Sequence, residues 1–299
     1  QRRRSMIVTG ALQDSFGFTP DFPDQLKAMN DLEKALTVQA KEEEEKKARE
    51  EALKNKTYHM DLDIIPDVFH PMIRDVRNHR HTEYVLPGGR GSGKSSTIPN
   101  IITELMRNNH DIHCLVVRKV YNTVKDSVFA KTKWAITKQE FSEKDYKYTS
   151  SPYEITMRDT GQKIFFRGAD DKEKIKSIAP DFGYIAIVWF EELDQFAGPE
   201  EIRNIEQSAI RGGDLAWIFK SFNPPKSANN WANQYLQEPK ENRLITRSTY
   251  LDVPKEWLGQ PFIDEAEHLK AIRLEAYEHE YLGIANGNGG AVFEYVEVR

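Results

Sequence analysis

One cysteine, Cys114, stands among 299 residues. That excludes a disulfide framework and a metal centre built on clustered cysteines, and it suits a reducing compartment. No apolar run approaches the roughly 20 residues of a membrane-spanning helix. The opening QRRRSMIVTG lacks the apolar core of a signal peptide. A basic excess is missing as well: 42 Lys and Arg face 47 Asp and Glu, for a net charge of -5. Nucleic-acid binding therefore cannot come from bulk charge and would need a local patch or another domain. There is no internal repeat. Glycine and proline are absent between Asp24 and Lys56, where LEKALTVQAKEEEEKKAREEALKN supplies strong helix formers. Pairs four apart, Glu42–Lys46 and Glu43–Lys47, favour a helix, and charges cover every face. Residues 1–56 are expected to be a charged helical arm, either solvated and partly disordered or docked on a partner protein.

The apolar fraction of 39% and the aromatic fraction of 11% allow a sizeable core elsewhere. Residues 57–250 alternate short apolar runs with helix-like runs. TEYVLP reads as a strand. KSSTIPNIITELMRN reads as a helix that Pro99 should bend. IHCLVVR, YIAIVWF and LAWIFKSFNP are continuous apolar runs, the pattern of strands buried on both faces. YNTVKDSVFAKTKWAITKQEF has helical spacing, and YEITMRDTGQKIFFRG alternates on both sides of an Asp-Thr-Gly turn, which predicts a hairpin. Strands alternating with helices imply an α/β fold with a parallel core. FIDEAEHLKAIRLEAYEHEYLG predicts one amphipathic helix, followed by a Gly/Asn linker. A glutamine start and an end within strand-like FEYVEVR lead to the expectation of a fragment of a longer polypeptide.

LPGGRGSGKSST concentrates the chemistry. Gly88, Gly89, Arg90, Gly91, Ser92, Gly93, Lys94 and Ser95 fit G-x4-G-K-[ST]. Glycines let backbone N–H groups turn inward around a phosphate, and a helix N-terminus adds positive potential. Lys94 would reach the β- and γ-phosphates of ATP, and Ser95 would hold Mg2+. Ser96 belongs to the same cradle. Such a loop needs a carboxylate at a nearby strand end, and YIAIVWFEE supplies one. Glu191 is expected on Mg2+ and Glu192 as the base that activates the attacking water. SFNPP closes a further strand, where Asn223 could sense the γ-phosphate or the water.

GGRGSGKS, FRGADDKEKIKSI, VWFEE and SFNPP, in this order and spacing, resemble the large terminase subunit of tailed bacteriophages over roughly residues 65–299. The resemblance implies a P-loop NTPase of the ASCE type: a mostly parallel central sheet flanked by helices, with an N-terminal helical arm and a helical linker subdomain. It divides the chain into a P-loop ATPase domain (57–250), a linker subdomain (251–285) and the start of a C-terminal nuclease domain (286–299), whose acidic cluster is not in this sequence. It makes Gly88 to Ser95 the Walker A loop, Arg90 a phosphate-contacting loop arginine, Glu191 and Glu192 the Walker B pair, and Ser221, Phe222 and Asn223 the coupling motif. Glu191 stands where many P-loop enzymes have Asp. Lys176 falls where many members carry a basic residue that completes a neighbour's site; a lysine cannot make the bidentate contact of a guanidinium, and Arg118 and Arg167 are the alternatives. Phe69 and Arg74, in DVFHPMIR, fall where the family contacts adenine. The implied function is ATP-driven translocation of double-stranded DNA into a procapsid. The implied partners are portal protein, a small terminase subunit and a homo-oligomeric, pentameric ring in the host cell cytoplasm. A helicase-like ATPase and a nucleotide-locked assembly module are the competing readings.

Overall fold

A computed structural model describes residues 27, 30–41, 44, 57–139, 141 and 143–287. The chain divides into two units, 1–56 and 57–299. In the first, residues 30–41 form one helix, as the missing glycine and proline predict. The pairs Glu42–Lys46 and Glu43–Lys47 and the strand-like end beyond residue 287 lie outside the described residues.

The second unit is organised by one sheet. In chain order its strands are β1 Glu83–Pro87, β2 Ile112–Arg118, β3 Tyr146–Ser150, β4 Tyr153–Met157, β5 Lys163–Gly168, β6 Tyr184–Glu191, β7 Trp217–Phe222 and β8 Arg243–Ile245. Their spatial order is β3-β4-β5-β2-β6-β7-β1-β8. Pairing is parallel from β5 to β8 and antiparallel across β3, β4 and β5. The expected hairpin is β4–β5. The helices are α1 His70–Arg77, α2 Lys94–Asn108, α3 Ala130–Lys138, α4 Lys172–Lys176, α5 Pro199–Ala209, α6 Trp231–Tyr235, α7 Lys255–Leu258, α8 Gln260–Ile272 and α9 Leu274–Leu282.

The apolar runs are continuous because both faces of the sheet are covered. Tyr84, Leu86, Cys114, Val116, Trp189 and Phe219 point to one layer, filled by Met72 and Ile73 of α1 and Ile98, Ile101 and Ile102 of α2. Their alternates Val85, Leu115, Val117, Val188, Phe190 and Ile218 point to the other, filled by Ile202 and Ile205 of α5. Burying each such side chain contributes about 1.5–3 kcal/mol.

One charge is buried at the start of β1. Glu83 is 1% exposed and sits 3.1 Å from Lys220 Nζ, which also reaches Glu206 at 2.7 Å. Arg243 and Lys240 pair with the same carboxylate, and the Tyr235 hydroxyl donates to it at 2.9 Å. Burial works against this charge, but Lys220, Lys240 and Arg243 hold the carboxyl down to about 2. The network ties β1, β7 and β8 to α5 and α6.

Two local expectations change. The run 121–141 is not one helix: a 3-10 turn at Tyr121–Thr123 and a π turn at Lys125–Phe129 precede α3. The run 262–283 breaks at Arg273, which leaves helical backbone at φ -148 and ψ 76. The break lets Ala266 and Leu269 of α8 and Tyr277 and Tyr281 of α9 pack around Tyr250 in a separate small core. One straight helix could not return both stripes to the same ring. α2 itself runs unbroken through Pro99.

Candidate active site

At the C-terminal end of β1 the chain turns from strand to helix within the glycine loop. Gly91 and Gly93 take φ of 68 and 78, a region only glycine enters at little cost. Gly88 and Gly89 are glycine for space: a Cβ would fall 2.2 Å from the Ser248 carbonyl oxygen and 2.0 Å from that of Tyr281. The Arg90 amide donates to the Glu280 carbonyl at 2.8 Å, so the loop is seated on the last turn of α9. Lys94, Ser95 and Ser96, at the start of α2, line a cavity of about 960 Å3.

Lys94 is 6% exposed and folds back on the loop. Its ammonium donates to the carbonyls of Gly88 at 2.8 Å and Gly89 at 3.0 Å, to Ser92 Oγ at 2.8 Å and to Asn223 Oδ1 at 3.0 Å. Burial, and then the nearby charge of Lys131, pushes its pKa down to about 7 against the pull of Glu191.

The acid strand is not the neighbour of the loop strand. β7 lies between them, with Ser221 opposite Leu86 on one side and Glu191 on the other. The indole N–H of Trp189 donates to Ser221 Oγ at 3.0 Å, which fixes Ser221 within the sheet. Phe222 is buried in the second core layer. Asn223, just past the strand, is exposed and holds Lys94. Ser221, Phe222 and Asn223 thus span the gap between loop and acids.

Glu191 closes β6 and is buried. Its Oε2 accepts from Arg118 Nη1 at 2.9 Å and its Oε1 from Lys131 Nζ at 2.8 Å. Glu192 follows with φ 55 and ψ 58, an uncommon backbone for a non-glycine residue and a form of strain that clusters at functional sites. This turns its half-exposed carboxylate to Arg118 Nη2 at 2.8 Å and to Gln195. Asp194 stands on the same wall, its carboxyl raised by burial and by the charge of Glu192.

Other expected residues lie elsewhere. Phe69 is fully buried in the core, its ring edge behind Gly93, so it backs the loop and offers no face to a ligand. Arg74 is exposed on α1 and does not line the cavity. Lys176 is exposed on α4, paired with Glu173 at 3.2 Å, and is likewise outside the cavity wall. Arg167 is buried and held by Glu154 at 2.6 Å. Arg118 is buried on its own chain's acids. Arg90, by contrast, does line the cavity, exposed and 3.6 Å from Glu280.

The cavity wall also contains residues the sequence did not single out. Lys131, Trp134 and Lys138 come from one face of α3, at i, i+3 and i+7. That stripe is visible in KTKWAITK, but helical spacing of this kind is ordinarily a core face. Asp63 and Ile64 line another part, with Val253, Trp257 and Leu258. These segments flank the loop, Pro66 against Gly93 and Leu258 against Gly91.

A family profile described as phage terminase large subunit matches residues 80–284. The large terminase subunit of Bacillus phage SPP1 is 41% identical over 231 residues, 75% of this chain and 54% of that protein. The crystal structure of large terminase from a thermophilic bacteriophage is similar at a TM-score of 0.58 and 15% identity, over 74% of this chain and 53% of that one. The same terminase in complex with ADP gives a TM-score of 0.56 at 15% identity, over 74% and 53%. At such identity the structural likeness concerns the fold: an α/β P-loop sheet of the kind these terminases share. The chain spans about half the length of these relatives.

Proposed function

The chain belongs to the family of phage terminase large subunits, and from that premise we propose that it is the ATP-hydrolysing motor portion of such a protein. One observation carries the reading. Lys94, Ser95, Glu191, Glu192 and Asn223 converge on one cavity from the C-terminal ends of three adjacent parallel strands, where ligands of α/β sheets bind.

The opening N–H groups of α2 and the loop amides take the phosphates, with Lys94 leaving its carbonyl partners for them. Ser95 and Glu191 suit Mg2+: both line the cavity and offer hard oxygens, and that ion is ordinarily held by one or two carboxylates plus substrate phosphates. Bound there, it would neutralise charge on the β- and γ-phosphates. Arg118 and Gln195 fix Glu192 Oε2, leaving Oε1 to take a proton from the water that attacks the γ-phosphorus in line. The bond to the bridging oxygen breaks and ADP leaves with the electron pair. The nucleobase lies against Ile64, Val253, Trp257 and Leu258, where two flanking segments present apolar surface beside the loop, rather than at Phe69 or Arg74.

In the full-length protein this chemistry drives double-stranded DNA into a procapsid, in a ring of copies on the portal, with a small subunit, in the host cytoplasm. DNA contact goes to the phosphate backbone, since a motor must not depend on sequence. Lys176, exposed on α4 and outside its own cavity, is the candidate for completing a neighbour's site. Turnover of ATP with and without DNA tests the reading. Lys94→Ala should abolish hydrolysis while the chain stays folded; turnover within a few-fold of the parent would reject it. On assembled full-length complexes, Lys176→Ala and Lys94→Ala should each be inactive alone and partly active when mixed. Normal turnover by Lys176→Ala alone would remove that lysine from the site.

A further inference from the structure

Lys94 and Lys131 share the cavity wall between the loop and β6 with Glu191, Glu192 and Asp194, and Arg118 lies buried behind these acids. The Glu191 and Glu192 carboxylates are already satisfied by Arg118, whose Nη1 and Nη2 reach one oxygen of each at 2.9 and 2.8 Å. Lys131 is therefore a second cation on Glu191. It sits 2.8 Å from Glu191 Oε1 and lies close enough to Lys94 for the two ammonium groups to repel each other.

The cations differ in freedom. The Arg118 side chain is 7% exposed and walled in, with Nε donating to Thr123 at 3.2 Å. The Lys131 side chain is 40% exposed, borders the cavity directly and has a flexible stem. Its place is set by the π turn at Lys125–Phe129, which delivers the first turn of α3 beside the acid strand. Of the partners of Glu191, Lys131 is the one that can leave without exposing an unpaired buried charge, because Arg118 stays. Lys131 and Lys94 both line the cavity beside the acids, a pair of cations suited to an anion.

We propose that Lys131 is a phosphate ligand acting within its own chain: its ammonium leaves Glu191 Oε1 and donates to the terminal phosphate of a nucleoside triphosphate. The inference rests on the nucleotide reading above and deepens it. Lys131 releases Glu191 and reads the γ-phosphate in one movement, so the site tells triphosphate from diphosphate before any neighbouring subunit contributes. No covalent bond is made or broken in this step; only hydrogen-bond partners change.

Equilibrium binding separates this from a counter-ion role. The full chain, Lys131→Ala and Lys131→Arg are titrated with fluorescent ADP and with a non-hydrolysable ATP analogue. Lys131→Ala should hold ADP within about twofold of the parent and bind the triphosphate about tenfold or more weakly, the scale of one charge-assisted hydrogen bond. Lys131→Arg, which keeps the charge, should recover most of the loss. Equal weakening of both ligands, or of neither, overturns the proposal and leaves Lys131 as a counter-ion of Glu191. Should Lys131→Ala fail to fold, Lys131→Met keeps the apolar stem and is read the same way. If the parent chain binds neither ligand, the nucleotide reading falls and this proposal falls with it.

Discussion

Lys94 Nζ and Asn223 Oδ1 lie 3.0 Å apart, joining the first residue of α2 to the residue that follows β7. If Lys94 binds phosphate as proposed, an arriving phosphate would compete with Asn223 for the same ammonium, and the strand between the loop and the acids would sense that arrival through one hydrogen bond. Asn223→Ala should leave KM for ATP within about threefold, since a single hydrogen bond nets only about 1 kcal/mol, and lower kcat about tenfold or more. Steady-state kinetics decide it; a large rise in KM with kcat intact would make Asn223 a binding residue only.

The two adjacent acids should part company in stability. Glu191 is buried between Arg118 and Lys131, so Glu191→Gln removes the charge both cations share, leaves Arg118 paired with Glu192 alone, and should cost about 1.5–3 kcal/mol. Glu192 has a half-exposed side chain, and Glu192→Gln should melt within a few degrees of the parent while binding ATP without hydrolysing it. Thermal melts and single-turnover assays check both. A destabilised Glu192→Gln beside a stable, inactive Glu191→Gln would reverse the assignment.

Trp257 tests the base seat. Trp257→Ala should raise KM for ATP about tenfold, the scale of base–aromatic stacking, and leave binding of inorganic triphosphate unchanged. If both ligands weaken together, Trp257 supports the loop and does not touch the base.

The Glu83 cluster predicts an acid limb of stability. Its folded pKa of about 2 lies below the usual carboxylate value, so its contribution is full above pH 4.5 and lost as pH falls toward 2. That linkage amounts to roughly 3 kcal/mol at neutral pH. Glu83→Gln should lower the melting temperature at about pH 7 and flatten its pH dependence across that acid range. A variant with the parent's slope would show that other carboxylates set the limb.

The glycine loop is legible in the sequence because each glycine answers a local demand, a positive φ at Gly91 and Gly93 or a close backbone at Gly88 and Gly89. Glu191 and Glu192 are legible because an apolar run can end on charge only where a buried strand leaves the sheet. The insertion of β7 between loop and acids is not, since strand order is set by long-range pairing that no short window contains. Lys131 and Trp257 escape sequence reading for a related reason: each is unremarkable on its own helix and gains meaning only from what the fold sets opposite. The turn at Arg273 has no glycine or proline to announce it; tyrosines at 250, 277 and 281 impose it from a distance.

The seat of the loop on α9 has a mechanical consequence. At Gly89 and Arg90 main chain meets main chain, and the α9 side contributes the carbonyls of Glu280 and Tyr281. Side-chain contacts can absorb a small shift by changing rotamer; touching backbones cannot. A displacement of the loop by an ångström is handed on without slack to a rod of nine residues, roughly 13 Å long at the helical rise. If nucleotide binds as proposed, stiffness at that joint, measurable as slow amide exchange at Arg90, would set how much of each binding event leaves the site as motion.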